Sequence, residues 1–290
     1  MKIGMTSFGF RYLMLDPTRA PLLTSVVQRA RALGFDALQI CENARPMELS
    51  RAEWEDVLHS AGEVGIDVQL GCNTVDLAVL RLYAERAAGL PSRMLRVVLE
   101  RGSGPRLTPA EIDTFLLGAL PLLDAHDLQL AIENHFDISC RVLADAVAPY
   151  PKGRVGFCVD MANSLRNFES ADVVLDLLGN RAFCYHIKDY RLEDDKPGFR
   201  VKGAPLGEGR LNLDRVLERI LSRDAAPQIF IESWRAGTGD WATDVREDDA
   251  WLQRSRETLQ RRLSIIVGFS SNEHNSGPKT HTDSLSPHPA

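Results

Sequence analysis

Two hydrophobic periods alternate along this chain. Short unbroken apolar runs predict buried strands over 2–7, 37–41, 67–72, 94–99, 129–135, 154–159, 182–185 and 228–231. Between them, leucine, valine and alanine recur at helical spacing and predict helices over 20–33, 51–64, 76–88, 108–126, 139–148, 170–178, 214–222 and 243–263. Local punctuation agrees. Gly34 follows the first helix where a stop is needed. Ser50 with Glu53 makes a capping box, and Thr108 followed by Pro109 opens a helix with an N-cap and a proline at its first position. The segment after the first strand reads as an aromatic-rich loop with Phe8, Phe10 and Tyr12, and 189–210 reads as a long polar loop.

Strict alternation of strand and helix implies parallel strands joined by right-handed crossovers. Eight such units imply closure into a single (β/α)8 barrel, the class being α/β. The 290 residues suit one barrel, assigned to 1–267. No GxGxxG follows the first strand, so a dinucleotide-binding fold has little support. From Gly268 the composition turns to Ser, Asn, Gly, Pro, Thr and His without periodicity, so 268–290 is expected to be a disordered tail whose His274, His281 and His288 are solvated.

The ends of four strands carry the chemistry. The run at 129–132 stops at Glu133-Asn134-His135, and those at 155–159, 182–185 and 228–231 stop at Asp160, His186 and Glu232. In a parallel barrel all strand carboxyl ends open on one face, so these four side chains converge. Three carboxylates held together repel one another and raise each other's pKa, and a divalent cation removes that conflict. Three hard oxygens and one imidazole suit Mn2+, with Mg2+, Co2+ or Zn2+ as alternatives.

Composition narrows the field. A net charge of -6 argues against nucleic acid as a partner. No apolar run approaches the roughly 20 residues of a membrane span, and a start that goes straight into a strand is not a signal peptide. Five cysteines without CxxC spacing read as small buried residues in a reducing cytoplasm.

Five segments together resemble a known family: Ala131-Ile132-Glu133-Asn134-His135, Val159-Asp160-Met161-Ala162-Asn163, Tyr185-His186-Ile187-Lys188-Asp189, Gly207-Glu208-Gly209 and Ile231-Glu232-Ser233. In this order they are similar to the sugar phosphate isomerase/epimerase group of xylose isomerase-like TIM barrels, and the resemblance covers 1–263. It implies one divalent metal held by Glu133, Asp160, His186 and Glu232, with Glu133 and Glu232 also moving protons on opposite faces of the substrate. The implied activity is a metal-dependent isomerase or epimerase of a sugar or related polyhydroxy carbonyl compound, working through an enediolate. A lyase or dehydratase uses the same apparatus, on an inosose, a dehydroshikimate or a keto-glycoside. An endonuclease IV-like phosphodiesterase needs a His-rich cluster and a basic face, and a barrel that only binds sugar has no need of a metal cage. Several family members carry His where this chain has Asn163, and an amide cannot shuttle a proton at neutral pH.

Around this cage His135, Asn163, Lys188, Asn73 and Arg235 are candidates for substrate contact, with Glu42 behind them. Phe8, Phe10 and Trp234 are candidates to wall a sugar ring. Gly207-Glu208-Gly209 does not directly follow a strand and is no phosphate cradle. The expected partner is a small carbohydrate-like molecule, and assembly into a homo-oligomer through outer helices is expected from the family.

Overall fold

The computed structural model describes residues 1–15, 22–101 and 105–273. The start of the first predicted helix, most of the loop at 102–105, and the tail from 274 with His274, His281 and His288 lie outside the described residues. In chain order the elements are β1 (Lys2–Thr6), α1 (Arg11–Leu15), α2 (Leu23–Ala32), β2 (Ala37–Ile40), α3 (Arg51–Val64), β3 (Asp67–Asn73), α4 (Leu77–Ala87), β4 (Met94–Val98), α5 (Pro109–Ala125) and β5 (Gln129–Glu133). They continue with α6 (Cys140–Val147), β6 (Val155–Asp160), α7 (Ala171–Leu178), β7 (Ala182–Ile187), β8 (Asp189–Asp195), β9 (Gly198–Ala204), α8 (Leu213–Leu221), β10 (Gln228–Ile231) and α9 (Trp241–Glu273).

Eight strands close in the order β1-β10-β7-β6-β5-β4-β3-β2, every pair parallel. This is the TIM barrel that the alternation predicts. The predicted punctuation is realised. Glu53 N donates to Ser50 Oγ at 3.3 Å while Ser50 N donates to Glu53 Oε2 at 2.7 Å, and Thr108 with Glu111 repeats the box at α5. Gly34 takes φ +86°, a left-handed turn that glycine accepts without strain.

The core has two layers. Leucine, valine and isoleucine fill the space between sheet and helices. Inside the barrel a second, smaller set of Ala37, Met94, Ala131, Cys158, Cys184 and Phe230 packs together. A Cβ on Gly4 would sit 2.5 Å from the Phe230 ring, so the glycine makes room for the plug of the barrel. All five cysteines are buried and free.

Three predicted segments differ from the structure. Residues 189–210 are not simply a loop, because β8 and β9 pair antiparallel from Asp189↔Ala204 to Asp195↔Gly198. The aromatic segment forms a short 3-10 turn (Ser7–Phe10) and α1, which bury Phe10 in the core and remove it from any sugar-facing wall. The last helix runs beyond 263 to Glu273. Among the described residues no helix is long and apolar enough to cross a membrane.

Candidate metal centre

Asp160 and His186 are Cα partners on β6 and β7, and Glu133 sits one strand away, paired with Cys158. Glu232 follows the last residue of β10. Parallel register at the carboxyl ends thus brings one donor atom from each of the four to within 4.8 Å of the others.

Each ligand is fixed from behind. Asp160 Oδ1 accepts the backbone N–H of Ala162 at 2.8 Å and of Asn163 at 2.7 Å, which turns Oδ2 inward. His186 Nε2 meets Gln39 Oε1 at 3.0 Å, which leaves Nδ1 facing Glu232 Oε2 at 2.9 Å and Glu133 Oε2 at 3.5 Å. Asp160 Oδ2, His186 Nδ1 and Glu232 Oε2 are buried and make no hydrogen bond. Buried polar atoms are rarely left so, and three of them pointing at one spot fit a cation. The donor set of three carboxylates and one imidazole suits a divalent ion with a preference for oxygen.

The charge balance points the same way. Glu42, Glu133, Asp160 and Glu232 face two cations, Arg96 and Lys188, an excess of two negative charges. Arg96 Nε donates to Glu133 Oε2 at 2.5 Å, and its Nη1 reaches Asn73 Oδ1 at 3.1 Å and Glu42 Oε2 at 3.3 Å. Lys188 Nζ lies 2.9 Å from Glu232 Oε1, 3.2 Å from Asp160 Oδ2 and 3.0 Å from Asn163 Oδ1. Asn163 Nδ2 closes the ring on Glu133 Oε1 at 2.8 Å. Burial alone raises the Glu232 carboxyl, but the Lys188 ammonium and the neighbouring His186 imidazole hold it down to about 2. At Glu133 burial is likewise overcome, by Arg96 first and His186 second, whereas at Asp160 burial prevails over Lys188 and the pKa rises. The His186 imidazole is drawn well up against burial, by Cys158 and Glu133. A proton or a metal ion near Nδ1 answers the same demand for positive charge.

The structure thus brings together Glu133, Asp160, His186, Glu232, Asn163 and Lys188, and links Asn73 and Glu42 to them through Arg96. Lys188 does not pair with its neighbour Asp189. Instead Asp189 accepts the backbone N–H groups of Gly207, Gly209 and Leu211 and so seats the Gly207-Glu208-Gly209 turn. A Cβ on Gly209 would lie 2.1 Å from Asp189 Oδ1, which is why glycine stands there. His135 lies past the end of β5, its ring 4.1 Å from that of Phe136, and burial lowers its pKa. Arg235 spends its donors on Asp244, Asp248 and the Ala236 carbonyl, and its guanidinium lies over the Tyr12 ring. Trp234 Nε1 donates to the Asp189 carbonyl at 2.8 Å.

Two contributors escape the sequence reading. Arg96 and Gln39 both sit inside otherwise apolar strands, at positions that face the barrel interior. A charge or amide in such a run is the signal that could have found them. Cys158, Cys184 and His186 also place donor atoms within 4.8 Å of one another. Burial pushes the Cys158 thiol well up.

The chain is similar to several known proteins. The chain is 26% identical to the 3-oxo-isoapionate decarboxylase of Pectobacterium atrosepticum over 265 residues, 90% of this chain and 96% of that protein. It superposes on a D-psicose 3-epimerase from Clostridium cellulolyticum H10, solved with D-tagatose, at a TM-score of 0.71 and 13% identity, over 91% of this chain and 99% of that one. A xylose isomerase-like TIM barrel protein from Mycobacterium smegmatis, solved in complex with magnesium, gives 0.66 and 15% over 89% and 97%. At these identities the two superpositions show the shared fold. Residues 27–255 match the model of the family described as the xylose isomerase-like TIM barrel, and the chain belongs to that family.

Proposed function

We propose that this chain is a divalent-metal-dependent enzyme that forms an enediolate from a sugar-derived carbonyl compound, and that its reaction is the decarboxylation of a 3-oxo sugar acid. The observation that supports decarboxylation over epimerisation is the pairing of both glutamates with buried cations. Glu133 is bound by Arg96 at 2.5 Å and Glu232 by Lys188 at 2.9 Å. A carboxylate so paired is a weak base, and epimerisation needs a base to take a carbon-bound proton. Loss of CO2 from a 3-oxo acid needs none. The bond between C2 and the carboxyl carbon breaks, its electron pair passes to the enolate, and a proton is then added at carbon.

A divalent ion held by Glu133, Asp160, His186 and Glu232 would draw electrons from the ketone oxygen and stabilise the enolate. In this reading Lys188 holds the substrate carboxylate, and solvent supplies the proton to carbon after CO2 has left. Asn163 fixes the Lys188 ammonium on one side and Glu133 on the other. Arg96 keeps Glu133 ionised and immobile, so it acts as a ligand and not as a base. The relative that is a 3-oxo-isoapionate decarboxylase lends the substrate class. Ketose epimerisation is the second reading, favoured by the placement of both glutamates in one cage.

The test is an incubation of Mn2+-loaded protein with a panel of 3-oxo sugar acids, scored for CO2, beside ketohexoses in D2O, scored for deuterium at carbon. CO2 release without deuterium uptake into ketoses is the expected result. Deuterium uptake into a ketose with no CO2 from any acid would replace this reading with epimerisation.

A further inference from the structure

Three glutamines cross the barrel interior in a hydrogen-bonded line that ends on the metal-facing histidine. His186 Nε2 lies 3.0 Å from Gln39 Oε1, Gln39 Nε2 donates to Gln69 Oε1 at 3.3 Å, and Gln69 Nε2 donates to Gln228 Oε1 at 2.5 Å. Gln39 and Gln69 are partners on adjacent strands, and the other two bonds bridge the lumen. Gln39 on β2 and His186 on β7 are separated in sheet order by β1 and β10, and Gln69 on β3 is separated from Gln228 on β10 by β1 and β2. Gln39 is completely buried and Gln69 nearly so. Gln69 and Gln228 line a cavity of about 540 Å³ on the opposite, amino-terminal face of the barrel.

We propose that Gln39, Gln69 and Gln228 act as a relay that fixes the ring and tautomer of His186 for metal binding. This rests on the reading of the four-ligand cage as a metal site. An amide has one accepting and one donating end, so each orientation dictates the next. For Nδ1 to present a lone pair to a cation, Nε2 must carry the proton, and Gln39 must turn its oxygen to it. The Gln39 amino group then faces Gln69, whose oxygen must receive it, and the Gln69 amino group faces Gln228. All three bonds run in the same direction, so they polarise one another. Cys158 also lies against the imidazole, but a thiol is a weak partner and the amide oxygen holds the N–H. Gln228 is exposed at the cavity, where water completes the line. Gln39, Gln69 and Gln228 are positioning residues that act through His186.

The experiment compares full-length wild type with Gln39→Met, Gln39→Glu, Gln69→Met and Gln69→Glu. Two readouts are used: Mn2+ affinity by competition with a chelator, and the His186 ring N–H signal in protein labelled with 15N-histidine. That signal is identified by its loss in His186→Ala. Gln39→Met is expected to weaken Mn2+ binding by about 10–100-fold, the usual loss when the partner of a ligating histidine is removed. Gln39→Glu still accepts from Nε2 and restores most of the loss, which separates positioning from folding. Gln69→Met is expected to weaken binding by about threefold or more without touching the ring, because Gln39 is then free to turn over. Gln69→Glu keeps the acceptor and the affinity. The ring N–H exchanges slowly in wild type and faster in both Met variants. Wild-type affinity and slow N–H exchange in Gln69→Met would reduce the relay to a single partner and overturn it, and the same outcome in Gln39→Met would remove it altogether. Should wild type bind no Mn2+, the metal reading fails. The ring N–H signal still decides the relay, since a protected proton sensitive to Gln39 and Gln69 supports it and an unprotected one overturns it.

Discussion

Arg96 enters the barrel from β4 with 2% of its surface exposed, and it is held there by Glu133, Glu42 and Asn73. Removing one partner of a buried pair leaves the other charge uncompensated, at a cost of about 3–5 kcal/mol. Arg96→Met is therefore expected to lose about that much stability in urea unfolding with chelator present, and Glu133→Gln in the same chain to recover most of it. Additive losses in the double variant would show that the pair is not coupled. The four cage residues were legible because each ends an apolar run, where a polar side chain has no packing role. Arg96 was not, because a guanidinium inside Met94-Leu95-Arg96-Val97-Val98 reads as an interruption of the strand and its partners are far away in sequence. Asn163, a candidate contact for substrate, has its amide bonded to both Glu133 and Lys188.

At the scale of elements, the strands and helices of the barrel were legible because each has one buried side and therefore a period. The β8–β9 hairpin was not. Most residues of its strands are exposed or half-buried and of every type, as in Arg191-Leu192-Glu193-Asp194, and no alternating apolar face exists to reveal a strand. Asp189 anchors this excursion directly beside the cage, taking three backbone N–H groups from the returning chain. Bonds to a buried carboxylate contribute about 1.5–3 kcal/mol each, and the donors they satisfy are otherwise orphaned. Asp189→Ala is expected to destabilise the protein by about 3 kcal/mol or more. It is also expected to raise hydrogen exchange at Gly207, Gly209 and Leu211 ahead of the barrel strands. Uniform loss of protection across β4 to β6 would contradict this local role.

Across the whole molecule, an excess of negative charge is concentrated at one mouth. Because Cys158 and Glu133 draw the His186 pKa above the ordinary imidazole value against burial, a metal at Nδ1 must displace a proton over a wider range of pH than usual. The sign follows: affinity is full above the raised pKa and falls as pH drops through it, by up to about tenfold per unit for one displaced proton. Calorimetric titration of Mn2+ from pH 6 to pH 8 should show affinity still rising above the normal imidazole range near 6.5, and a flat profile there would remove His186 from the ligand set. At saturation near 100 times its Kd, the ion adds about 2.7 kcal/mol to the folded state, so chelation should lower the melting temperature by a few degrees.

The order of the strands has a consequence for how the protein is made. β1 is bonded to β10, and Glu232 lies just beyond β10. A chain emerging from the ribosome therefore holds Glu133, Asp160 and His186 well before it can close its sheet or bring in Glu232. Until residue 231 is out, β1 and β7 are both open edges that another nascent chain could extend. Shutting the ring removes both edges in the same step that delivers Glu232 to the other three carboxylate and imidazole groups. A polypeptide truncated before residue 232 therefore lacks both the closed ring and one of the four residues of the candidate metal site.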